Sequence, residues 1–131
     1  LNGVLAIADA ADAGVGVAFD TFHWYCGTDG DRDDLLYAAQ HADRVVALHL
    51  NDAVAGVPFD QQRDMQRRLP METGLIDAGE VCARFRAGGF TGPRMIEPFE
   101  PGRTLFAAMS AQEAVRKVAS LFARVDGSAA E

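Results

Sequence analysis

The sequence predicts an α/β fold with parallel strands: the C-terminal three βα units of a (β/α)8 TIM barrel, present as an incomplete barrel. Three observations predict it. Short apolar runs at Val15–Phe19, Val45–Leu48 and Met95–Ile96 have the near-continuous hydrophobicity of strands buried on both faces of a parallel sheet. Each run stops at a metal-competent residue, Asp20, His49 or Glu97, at the strand end where parallel α/β folds place their chemistry. Helical patterns separate the runs, and such alternation implies right-handed crossovers between parallel strands.

Leu1, Val4, Leu5, Ala8 and Ala11 recur at helical spacing with no capping residue before them. The chain therefore opens inside an amphipathic helix, as the C-terminal part of something longer would. That helix is expected to end near Gly14, with the first strand following directly. A polar, aromatic loop, Thr21 to Gly30, comes next. Asp31 or Asp33 then starts a helix with Leu35, Leu36, Ala38 and Ala39 on its apolar side. The second strand ends at His49 or Leu50.

Asn51 to Leu75 is a segment of about 25 residues without strong periodicity, longer than the usual connection and so a candidate functional loop. Asp77 and Glu80 have the spacing of a capping box, opening a helix that buries Val81, Cys82 and Phe85 and stops at Gly88-Gly89. The third strand runs from Pro93 to Glu97. Ser110 and Glu113 form a second capping box before a long helix with Val115, Val118, Phe122 and Val125 on one face. One domain over residues 1–126 is expected, with Gly127–Glu131 as a disordered tail.

The 131 residues are about half of the roughly 250 that an eight-unit barrel needs. A net charge of −7 argues against a phosphate-backbone binder, so no nucleic-acid partner is expected. Cys26 and Cys82 lack C-x-x-C spacing and read as free thiols of a reducing compartment. No apolar stretch approaches the roughly 18 residues of a membrane span and no signal peptide is visible, so the default is cytoplasmic with no membrane partner. A buried-type strand at the open edge of three units would invite association, and a homo-oligomer is one way to cover it.

Asp20 taken alone can cap a turn. At the end of a buried strand it must be paired or bind a metal, because burying a bare carboxylate is costly. His23, three residues on, can turn back toward the same pocket as an orienting group or substrate contact. His49 taken alone reads as a hydrogen-bonded strand-end residue. The carboxylates on neighbouring strands favour a ligand instead, and Asp52 beside it can orient the imidazole. Glu97 can equally be a salt-bridge partner until it is placed in this company. Together, two carboxylates and one imidazole suit Mn²⁺, Mg²⁺, Co²⁺ or Zn²⁺. Arg67 or Arg68 folding over the pocket could bind hydroxyls or a phosphate. Phe22, Trp24 and Tyr25 read as pocket walls or packing residues, and no partner supports Cys26 as a nucleophile.

Asp20-Thr21-Phe22-His23, His49-x-x-Asp52, Arg67-x-x-Pro70, Gly74-x-Ile76-Asp77, Gly88-Gly89-Phe90-x-Gly92-Pro93 and Glu97-Pro98-Phe99 occur in this order. In that order they resemble the xylose isomerase-like barrel superfamily, in its sugar phosphate isomerase and epimerase branch, with inosose isomerases and ketose 3-epimerases as relatives. The resemblance covers Gly14 to about Val125. It implies a divalent metal held by Glu, Asp, His and Glu at the ends of the last four strands, with Asp20, His49 and Glu97 as the last three and no counterpart here for the first. The loop reads Pro70-Met71-Glu72-Thr73-Gly74 where the family commonly has Pro-Gly-Glu-Gly.

The implied chemistry is isomerisation or epimerisation of a sugar or polyol. The metal polarises a carbonyl and its neighbouring hydroxyl, and an enediolate forms when the adjacent C–H is deprotonated. Glu97 would be one of two acid–base carboxylates, His23 would hold a substrate oxygen, and Arg67 and Trp24 would line the substrate pocket. The fragment alone is expected to be inactive. The competing readings are a dehydratase, an endonuclease IV-like hydrolase, which the −7 charge disfavours, and a non-catalytic truncated domain.

Overall fold

Three strands, β1 (Val17–Asp20), β2 (Val45–Leu50) and β3 (Arg94–Ile96), lie side by side in that order, and both pairings are parallel. The structure is a computed structural model and describes residues 2–11, 14–100 and 102–128. Among these the strands are interleaved with helices α1 (Asn2–Ala10), α2 (Thr21–Thr28), α3 (Arg32–Gln40), α4 (Ala78–Ala87), α5 (Gly102–Ala107) and α6 (Ala111–Ser128). The sheet does not close, and β1 and β3 are its two edges.

One face of the sheet carries the core. Phe19 of β1 and Leu48 of β2 pack with Leu35 and Ala38 of α3, Val81 and Phe85 of α4 and Val125 of α6. Phe85 is wholly buried, with its ring 4.8 Å from that of Phe19. Burying a side chain of this size contributes about 1.5–3 kcal/mol. Val45 and Leu48, three residues apart, both enter this core. Strict alternation forbids that, and the register explains it: Val17 pairs with Val45 but Ala18 with Ala47, so β2 holds one extra residue at this point.

The other face is open, which corrects the expectation of strands buried on both sides. Val46 is 55 % exposed and Met95 38 % exposed, because no described element covers that surface. Asp20 and His49, partners in the register, lie at the C-terminal ends of their strands. Glu97 follows the last residue of β3.

Several local expectations change. β1 begins at Val17 rather than Val15 and takes in Asp20, and β3 is shorter than Pro93–Glu97. The segment after Asp20 is a helix, not a loop. Asp20 Oδ1 accepts the backbone N–H groups of Phe22 at 2.8 Å and His23 at 3.2 Å, an N-cap that starts α2 in a sequence with no apolar periodicity. Asp31, not Asp33, caps α3, and Leu36 is only half-buried there. Helix α5 has no counterpart in the sequence reading. In α6 the buried residues are Leu121 and Val125, whereas Val115 is 68 % exposed. That helix continues through Gly127 and Ser128, where a tail was expected, and residues 129–131 lie outside the described set. Helix α1 ends at Ala10, residues 12–13 are outside the described set, and Gly14 has φ +111°.

Both capping boxes cap their helices. Glu113 Oε2 accepts the Ser110 N–H at 2.8 Å while Ser110 Oγ accepts the Glu113 N–H at 3.4 Å. At α4 the Asp77 carboxylate accepts the Glu80 N–H at 2.9 Å, while Glu80 itself pairs with Arg32 and Arg84. Gly88 ends α4 so close to α3 that a Cβ there would lie 2.0 Å from the Ala39 carbonyl oxygen.

Candidate metal centre

Asp20, His49 and Glu97 each offer a ligand atom, and these atoms lie within 4.8 Å of one another. His49 Nδ1 stands 3.8 Å from Asp20 Oδ2 and 3.5 Å from Glu97 Oε2. Parallel pairing sets this arrangement, because it brings successive strand ends to one rim of the sheet. The cap adds precision. With Oδ1 of Asp20 fixed on the first turn of α2, Oδ2 is directed into the cluster. Two carboxylates and one imidazole at this spacing fit a hard or borderline divalent ion.

The segment between β2 and α4 covers the cluster with Arg67. Of the two arginines, Arg67 enters the site, while the Arg68 backbone forms an antiparallel bridge to Asp52. Arg67 is 2 % exposed. Its Nη1 donates to Asp20 Oδ2 at 2.9 Å and to Glu97 Oε2 at 3.0 Å, and Nη2 pairs with Asp64. The guanidinium lies between the rings of Phe22 and Phe99, 4.9 Å and 4.8 Å from their centroids. Burial works against its charge, but the hydrogen bonds and charges of Asp64 and Asp20 outweigh burial and raise its pKa.

Asn51 completes this layer. Turned so that its nitrogen faces carbonyl oxygens, its amide donates to the Glu97 backbone oxygen at 3.0 Å and accepts from Arg67 Nη1 at 3.2 Å. Its own backbone exchanges hydrogen bonds with Thr21 Oγ1 at 2.8 and 2.9 Å, tying the end of β2 to the start of α2. Asn51 and Asp64 were not singled out from the sequence, and Phe99 entered only as part of the Glu97-Pro98-Phe99 motif, with no role given to it. The Asp64–Arg67 spacing of three residues was the available signal for one of them.

Asp52 does not orient the His49 imidazole. Its buried carboxylate accepts the backbone N–H groups of Ala53, Thr73, Gly74 and Ile76 at 2.8–3.0 Å. It therefore anchors both ends of the segment that carries Arg67. Within that segment Met71 has φ +61°, at the position where the common form of the loop has glycine.

His23 lies at the exposed mouth, with Nε2 3.3 Å from Arg67 Nη2 and 3.6 Å from Asp64. Trp24 packs against the core and gives its indole N–H to the Asp31 carbonyl at 3.1 Å. It lines a cavity of about 400 Å³ together with the residues of β1, Asp20 among them, and His23. Cys26 and Cys82 are free, and burial, the largest influence on each, pushes both thiols up.

The family model of the xylose isomerase-like TIM barrel matches residues 1–123. The chain belongs to that family. Two solved structures share its fold with a TM-score of 0.75 and 20 % sequence identity. One is the IolI protein with a bound zinc atom, matched over 96 % of this chain and 43 % of its own length. The other is a xylose isomerase domain protein from Alicyclobacillus acidocaldarius subsp. acidocaldarius, matched over 100 % of this chain and 44 % of its own. The chain thus spans less than half the length of either. No curated protein sequence matches it. Among the described residues, no helix of this xylose isomerase-like chain is long and apolar enough to cross a membrane.

Proposed function

We propose that this chain forms the C-terminal three βα units of a divalent-metal-dependent sugar or polyol isomerase or epimerase, with Asp20, His49 and Glu97 as metal ligands. The observation that carries this reading is the convergence of those three side chains within 4.8 Å at one rim of a parallel sheet. The family supports it, as does the zinc in the IolI structure. The two open edges and the length of the solved neighbours support the assignment to part of a larger barrel.

Bound Mn²⁺, Mg²⁺, Co²⁺ or Zn²⁺ would polarise a substrate carbonyl and its neighbouring hydroxyl. Glu97 is 44 % exposed, so its carboxylate is reachable by a substrate C–H and can take and return the proton. A second carboxylate on the opposite face would come from a strand beyond this sheet, and the chain alone is accordingly inactive. His23 and Arg67 would hold substrate oxygens, and the Trp24 ring would wall the pocket, its N–H already engaged.

Isothermal titration of the full chain with Zn²⁺ or Mn²⁺ tests the first part: one site is expected, and it is lost in His49→Ala. Solvent deuterium incorporation into a panel of ketoses and inososes, catalysed by a longer protein containing this chain, tests the second. No stoichiometric metal binding, or binding indifferent to His49, would overturn the reading.

A further inference from the structure

We infer that Arg67 is the internal counter-cation of the metal-free site, and that it competes with the divalent ion for Asp20 Oδ2 and Glu97 Oε2. This rests on the metal assignment proposed above. The two oxygens that His49 Nδ1 faces, at 3.8 and 3.5 Å, are those to which Arg67 Nη1 donates, at 2.9 and 3.0 Å. An ion bound by all three ligands would stand beside Nη1, and like charges at that range repel. Without the guanidinium, two carboxylates would face each other with no counter-charge.

Arg67 has no free donor in this state. Nε reaches the Asp64 carbonyl, Nη1 the two carboxylates and the Asn51 side-chain oxygen, and Nη2 the Asp64 carboxylate and His23. Its contacts with Asp64, Phe22 and Phe99 need not change when the ion enters. Only the Nη1 bonds to Asp20 and Glu97 must break, and the Asn51 contact can stay. Entry of the ion therefore frees Nη1 for an oxygen atom of the substrate, so a substrate contact by Arg67 follows metal binding and does not precede it.

The test compares Zn²⁺ and Mn²⁺ affinity, by titration calorimetry, in the wild-type chain and in Arg67→Met, which keeps an unbranched chain between the two rings. Competition predicts roughly tenfold tighter binding in the variant. It also predicts a lower melting temperature of the metal-free variant and a larger rise in that temperature on adding metal. A second measurement needs no variant: in wild-type chain labelled with ¹⁵N-arginine, Zn²⁺ should shift the Arg67 Nη signals and speed their hydrogen exchange.

Equal or weaker affinity in Arg67→Met, with wild-type binding still dependent on His49, would overturn the competition and leave the metal site standing. Unchanged Arg67 signals under saturating Zn²⁺ would do the same. If neither protein binds any divalent ion, both readings fall.

Discussion

Asp20 and His49 are register partners on adjacent parallel strands, and Asp20 Oδ2 lies 3.8 Å from His49 Nδ1. The backbone pairing itself thus brings one carboxylate and the imidazole together, while Cys26, on α2, is not among the clustered ligands and its thiol is pushed up by burial. We expect Cys26→Ser to leave Zn²⁺ affinity unchanged. His49→Ala should lower it by more than the about 10–100-fold that loss of an outer-shell partner costs. Competition titration against a chromogenic chelator reads both, and loss of metal in the cysteine variant would reverse the ligand assignment.

Asp52→Asn replaces two acceptor oxygens with one and turns an amide N–H₂ toward backbone donors. Four backbone N–H groups depend on that carboxylate. Urea unfolding should register a loss of roughly 2–4 kcal/mol, the cost of leaving buried donors unsatisfied. Hydrogen exchange should accelerate at Thr73, Gly74 and Ile76 more than in α4. Uniform acceleration across the chain would mean that Asp52 serves global stability rather than this segment.

Gly88→Ala tests the approach of α4 to α3. The added Cβ would meet the Ala39 carbonyl oxygen at 2.0 Å, a backbone atom that cannot step aside alone. Overpacking of this kind costs about 1–3 kcal/mol, measurable as a lower urea midpoint. Gly127→Ala, with open space around its Cβ, is the control and should not be destabilising.

Asp126 of α6 answers to pH. Its hydrogen bond from Arg94 of β3, 2.5 Å from Nη1 to Oδ1, holds the carboxyl below its ordinary value. A depressed carboxyl stabilises the fold above its unfolded pKa, and that share is lost as pH falls through the lower folded value. Asp126→Asn should therefore cost stability at pH 7, by about 1 kcal/mol at most because the pair is partly exposed. Below about pH 4 the gap between variant and wild type should narrow. A gap that stays constant from pH 7 to pH 3 would remove the charge from the explanation.

The apolar runs and capping signals at Asp77, Ser110 and Gly88-Gly89 made the strand–helix alternation legible, because these are local properties of backbone and side chain. Helix α2 was not legible, since it is nucleated by one capping carboxylate and not by periodicity. The exposure of Val46 and Met95 was not legible either, because hydrophobicity records what a residue can bury against and not whether a covering surface is there.

The sequence by itself determined the identity and order of Asp20, His49 and Glu97 and their place at strand ends. Only the tertiary structure decided that Arg67 rather than Arg68 enters between them, and that Asp52 holds the covering segment instead of the imidazole. The physical reason is range. Strand and cap signals act over a few residues, whereas the Arg67 contacts close loops of 47 residues to Asp20 and 30 to Glu97, which local pattern does not encode.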